Sequence, residues 1–92
     1  MEGTKRIAVI VRDRQGEALR ISGGLTLADD IVEVFILARL HDRDDPAVAK
    51  PLELVSDLGL TVYSTDPANG FTTISLEEMA RKLLEYDVVV PY

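Results

Sequence analysis

The sequence predicts an α/β protein, a three-layer sandwich in which a four-stranded parallel sheet carries helices on both faces. Three observations predict it. Residues 7–11 and 31–37 are almost continuously apolar and rich in β-branched side chains, the pattern of strands covered on both faces. Helical stripes and polar turns lie between the apolar segments, so strand and helix alternate along the chain. At 92 residues the chain suits one domain with one core, and 47% apolar against 28% charged residues excludes a disordered chain.

Ile7 to Val11 reads as the central strand, ended by Arg12, Asp13 and Arg14. Ala18, Ile21, Leu25 and Ala28 then recur at i, i+3, i+7 and i+10, which predicts a helix over residues 16–28. Gly23 and Gly24 lie inside that helix, each costing about 1 kcal/mol relative to alanine, so close approach to the sheet or to a neighbouring subunit is expected at both. Ile31 to Leu37, interrupted by Glu33, forms the second strand.

A polar stretch from His41 to Asp45 ends at Pro46, and a short helix is expected from near Pro51 to Gly59, with Leu52, Val55 and Leu58 facing inward. The third strand, Leu60 to Ser64, leads into a loop from Thr65 to Gly70. Ser75-Leu76-Glu77-Glu78 matches a capping box, and Leu76, Met79, Ala80, Leu83 and Leu84 mark the buried stripe of a helix ending near Tyr86. Asp87 to Tyr92 forms a last strand, with Pro91 suited to a sheet edge. The alternation implies a parallel sheet with right-handed crossovers, and 2-1-3-4 is the preferred strand order.

Composition narrows the function. The net charge is −6, and Arg12, Arg14 and Arg20 are interleaved with Asp13 and Glu17, so no face suits nucleic acid. No apolar run exceeds five residues, which predicts no membrane span and no secretion signal, and hence a cytoplasmic protein. With no cysteine there are no disulfides, thiolate metal sites or thiol nucleophiles.

In an open parallel sheet ligands bind beyond the carboxyl ends of the strands where strand order reverses, here expected between the first and third strands. The walls of that crevice are Arg12, Asp13, Arg14 and Gly16 from one loop and Ser64, Thr65, Asp66 and Asn69 from another, with His41 to Asp45 nearby. Helix amides after Gly16 and the guanidinium of Arg12 or Arg14 suit a small anion, although Arg-Asp-Arg equally makes a solvated charge cluster. His41-Asp42-Arg43-Asp44-Asp45 gathers one imidazole and three carboxylates, but the intervening arginine and the absence of a second histidine favour turn chemistry over a metal site. His41 is expected on the far side of the first strand from Ser64, which leaves that hydroxyl without a base. No catalytic residue, metal or cofactor is therefore assigned.

The segments Lys5 to Val11, Ala18 to Arg20 with Gly24 to Asp29, Val32 to Leu37, Leu58 to Tyr63 and the closing Tyr86 to Tyr92 together resemble the DsrE/DsrF-like family, as a single domain over residues 1–92. The resemblance implies a small α/β fold that assembles into trimers or hexamers, or into hetero-oligomers with a related subunit. In active members it implies carriage of sulfur as a persulfide, on a cysteine in the loop after the strand corresponding to Leu60 to Ser64. Tyr63-Ser64-Thr65-Asp66 stands at that place here, and a serine hydroxyl forms no persulfide.

The expected function is thus a non-catalytic binding or structural subunit associated with intracellular sulfur transfer. Two other readings stay open at this point. One is a module for a small anionic metabolite or nucleotide, contacted by Arg12, Arg14 and Asn69. The other is an enzyme using carboxylates or His41.

Overall fold

In the computed structural model, which describes residues 5–25 and 31–92, five strands form one parallel sheet. They are β1 (Arg6–Val11), β2 (Ile31–Ile36), β3 (Thr61–Ser64), β4 (Thr72–Thr73) and β5 (Val88–Pro91), in the order β4-β3-β2-β1-β5. Helices α1 (Gln15–Leu25), α2 (Pro46–Asp57) and α3 (Leu76–Lys82) join them. The α/β class and the parallel sheet are as the sequence predicts, whereas the four-stranded order 2-1-3-4 is not. β2 lies between β1 and β3, and the two-residue β4, which no periodicity announces, extends the far edge through Tyr63 paired with Thr72 and Ser64 with Thr73.

The physical reason for the order lies in how the helices pack. Successive right-handed crossovers in one direction place their helices on the same face of a sheet. Accordingly α1 and α2 pack side by side over Ile7, Val9, Val11, Val32, Val34, Ile36 and Val62. The chain then returns past β2 and β1 to β5, so α3 covers the opposite face, where Met79 meets Ala8, Phe35, Ile74 and Tyr86. Odd and even positions of β1 and β2 thereby feed two separate cores, which is why both strands are apolar without alternation.

Contact between α1 and α2 is set by Gly16. A Cβ there would lie 2.2 Å from the backbone oxygen of Ala47, so only glycine fits. Pro51 lies four residues after Ala47 inside α2 and offers no N–H to that oxygen, which is therefore free to turn toward Gly16. Further along, a Cβ on Gly23 would lie 2.7 Å from Leu54, so the close packing expected at Gly23 is present. At Gly24 it is not, since no described atom lies within 4 Å of its Cβ position.

Several boundaries differ from expectation. α1 is described to Leu25, so the expected stripe position Ala28 falls outside the described residues. α2 begins at Pro46 rather than near Pro51, because Asp45 caps it by accepting from Ala47 N and Pro46 occupies the first turn. Its Leu58 is 45% exposed instead of inward. In α3 the capping box of Ser75 and Glu78 is present, but only Met79 of the expected stripe is buried. A 3₁₀ turn over Leu83–Glu85 rotates the chain out of register and leaves Leu84 on the surface. Among the described residues no helix is long and apolar enough to cross a membrane.

Candidate functional site

The carboxyl ends of β1, β2 and β3 carry most of the polar groups singled out in the sequence. Since β2 separates β1 from β3, the crevice expected between the first and third strands does not exist, and strand order reverses between β1 and β5 instead. There the chain closes on itself. Tyr92 N donates to Ile10 O at 2.9 Å, and Tyr92 O accepts from the amides of Asp13 and Arg14, each at 3.3 Å. Two of the donors ahead of α1 are thus taken by a main-chain oxygen of the protein itself.

A groove of about 620 Å³ opens beside this point, between the first turns of α1 and α2. Asp13, Arg14, Gly16 and His41 line it, together with Arg20, Asp42, Asp45 and Lys50. Arg20 pairs with Glu17 at 2.7 Å, and His41 Nδ1 lies 3.0 Å from Asp42 Oδ2, while Arg14 and Lys50 have no ion pair among the described residues. Carboxylates outnumber the fixed cations along this wall, so the groove has no net positive charge. Asp42 itself adopts the left-handed region at φ 56°, a conformation that aspartate tolerates better than most residues. The His41 side chain is largely exposed, and among the described residues no group of three metal-ligating side chains gathers.

The second set of predicted residues is drawn inward. Ser64 is fully buried, with Oγ donating to Asp66 O at 2.9 Å and accepting from Asp66 N at 3.1 Å and Asn69 Nδ2 at 2.7 Å. Asn69 is only 2% exposed; its Nδ2 also donates to Ala38 O, and its Oδ1 accepts from Leu40 N. Asp66 caps the 3₁₀ turn over Pro67–Asn69 through Ala68 N and faces Arg39 at 3.6 Å. Thr65 N bonds Ile36 O, which continues the β2–β3 ladder. Arg12 is exposed and does not line the groove between the first turns of α1 and α2. The sequence-predicted residues therefore fall into two groups, with Ser64, Thr65, Asp66 and Asn69 apart from the groove that Asp13, Arg14, Gly16 and His41 share.

Ser64 ends β3 and His41 follows the neighbouring β2, not a strand separated from it by β1 as expected, yet the hydrogen bonds of Ser64 turn its hydroxyl inward. The sequence reading missed Gln15. Its Nε2 donates to Arg12 O and Arg39 O, each at 3.1 Å, and its Oε1 accepts from His41 N at 3.0 Å. No local signal marks an amide at a helix start as buried.

At the opposite end of the sheet a second polar cluster forms around Glu33. Tyr86 Oη donates to Glu33, Arg6 lies 3.5 Å from the same carboxylate, and the guanidinium sits 4.8 Å from the centre of the Tyr86 ring. Burial first, and the bond to Glu33 second, push the Tyr86 phenol above its ordinary range. Here the sequence did carry a signal, since a lone carboxylate inside an apolar strand requires a partner. Compared with known protein families, with curated proteins and with solved structures, the chain matches none of them.

Proposed function

We propose that the chain is a non-catalytic subunit of the DsrE/DsrF-like kind, associated with intracellular sulfur transfer and acting beside a related subunit that supplies the thiol. Ser64 carries this reading. It belongs to Tyr63-Ser64-Thr65-Asp66, the stretch at the place where the resemblance puts the sulfur-bearing residue, and its hydroxyl is enclosed by Asp66 and Asn69. A hydroxyl held in this way has neither the access nor the free lone pair that an attacking group requires. The loop keeps its shape through hydrogen bonds that need no cargo. The parallel α/β sheet supports the same reading.

The test joins two measurements on the whole chain. After incubation with a persulfide-loaded DsrE-type subunit, intact-mass spectrometry is expected to show the chain unchanged. Light scattering is expected to show a complex containing both proteins. A gain of one sulfur atom by this chain, or the absence of any complex at about 100 µM, the range of weak interfaces, overturns the proposal.

A further inference from the structure

A second groove, of about 560 Å³, runs along the flank of α2 turned away from α1 and is bounded on its far side by the loop after β3. Ala49, Leu52 and Glu53 recur at i, i+3 and i+4 on that flank, and Phe71 lines the groove from the loop. Leu52 and Phe71 are half-buried against the main core, which gives the groove a fixed apolar floor. One cation and one carboxylate complete it. Arg43 is tied to the loop wall by donating to Asn69 O at 3.3 Å, and Asn69 is itself locked by side-chain bonds to Ala38, Leu40 and Ser64. Neither Arg43 nor Glu53 has an ion-pair partner among the described residues, although both line this one groove.

We propose that this groove binds a short apolar peptide with free termini, about three residues long, its carboxylate on Arg43 and its ammonium on Glu53. Length and charge both lead to this class. α2 rises about 10 Å between Pro46 and Glu53, and Arg43 stands ahead of that start, while three extended residues span about 10 Å. A free amino acid carries both charges on one carbon and does not bridge such a distance. The guanidinium fork suits a carboxylate, the Glu53 carboxylate suits an ammonium, and a central apolar side chain then covers Leu52 and Phe71. The open side of the groove leaves the peptide's own N–H and C=O groups in water, so the site need not supply partners for them. The volume lies in the range of small-ligand sites. This proposal stands independently of the sulfur-transfer reading.

The test follows the amide NMR shifts of the isotope-labelled whole chain as the tripeptide Ala-Leu-Ala is added. With both termini free the peptide is expected to bind with a Kd of about 0.1–1 mM, the range open to a ligand of its size, and to shift the amides of Leu52, Gly70 and Phe71. Acetylating its amine or amidating its carboxylate removes one charge, and each is expected to weaken binding about tenfold. In Glu53→Gln the acetylated and free peptides are expected to bind alike while the amidated form still binds more weakly. Arg43→Gln is expected to do the reverse, a crossed pattern that a general loss of structure does not produce. The absence of saturable shifts up to about 10 mM peptide, shifts confined to the groove beside His41, or capped peptides that bind the unmodified chain as well as the free one overturns the proposal.

Discussion

Gln15 and Asn69 hold the same short stretch of backbone from its two flanks, and their partners interleave along it. Asn69 bonds the carbonyl of Ala38 and the amide of Leu40, and Gln15 bonds the carbonyl of Arg39 and the amide of His41. Gln15 follows β1 and Asn69 follows β3, the two neighbours of β2. Each side-chain amide turns one of its donors and its acceptor toward this stretch, as a strand peptide would. The pair therefore extends the parallel ladder beyond the last true strand residue.

Removing either amide leaves buried backbone groups without partners. Asn69→Ala is expected to destabilise the protein by about 2–4 kcal/mol and Gln15→Ala by about 2 kcal/mol, as read by urea unfolding. Asn69→Asp keeps an acceptor for Leu40 N but loses both donations, so it is expected to recover only part of the deficit. A loss below about 0.5 kcal/mol for Asn69→Ala would show that water replaces the amide.

The glycines of α1 separate cleanly. Gly16→Ala forces a methyl into the backbone of α2, which cannot move without parting the two helices, and is expected to cost about 2–3 kcal/mol. Gly24→Ala meets no described atom and lowers the entropy of the unfolded chain, so it is expected to stabilise by about 0.5–1 kcal/mol. Melting temperatures of the two variants should therefore move in opposite directions.

Tyr86 links stability to alkaline pH. Its phenol is held protonated in the folded protein, by burial first and then by Glu33, and its folded pKa lies above the unfolded value near 10. The contribution is complete below that unfolded value. It is lost as pH rises from there through the folded pKa, because the unfolded chain then releases a proton that the native protein keeps. Tyr86→Phe is expected to flatten this alkaline decline. Ultraviolet titration of the three tyrosines should show one ionising after the others, and simultaneous ionisation would contradict the assignment.

The groove beside His41 should not favour simple anions. Its carboxylates outnumber its fixed cations, and the main-chain oxygen of Tyr92 already occupies the amides of Asp13 and Arg14. Millimolar phosphate or nucleotide is accordingly expected to raise the melting temperature by less than about 2 °C. A larger, saturable rise would restore the anion-binding reading.

The elements of this fold are legible in the sequence where one local rule suffices. The uninterrupted Ile7 to Val11 run and the Ser75–Glu78 capping box appear where the pattern puts them. Strand order is not local, since both 2-1-3 and 3-2-1 satisfy right-handed crossovers and differ only in whether α1 and α2 share a face. The sequence holds one hint, Gly16 and Gly23 spaced along α1 toward α2, but a glycine does not reveal which neighbour it admits. The division of the candidate site into two groups was not legible for a related reason. Ser64 and Asn69 look like loop residues open to a ligand, and burial alone converts them into internal ties.

The contact among Pro51, Ala47 and Gly16 binds positions on two helices into one constraint. A proline withholds a donor from its own helix, the carbonyl left over leans across the gap, and the facing residue can carry no side chain. Neither position is free to drift by itself. Among descendants of this chain, any lineage that gains bulk at residue 16 should also have changed at residue 51, so a substitution history would record the two as a single inherited trait.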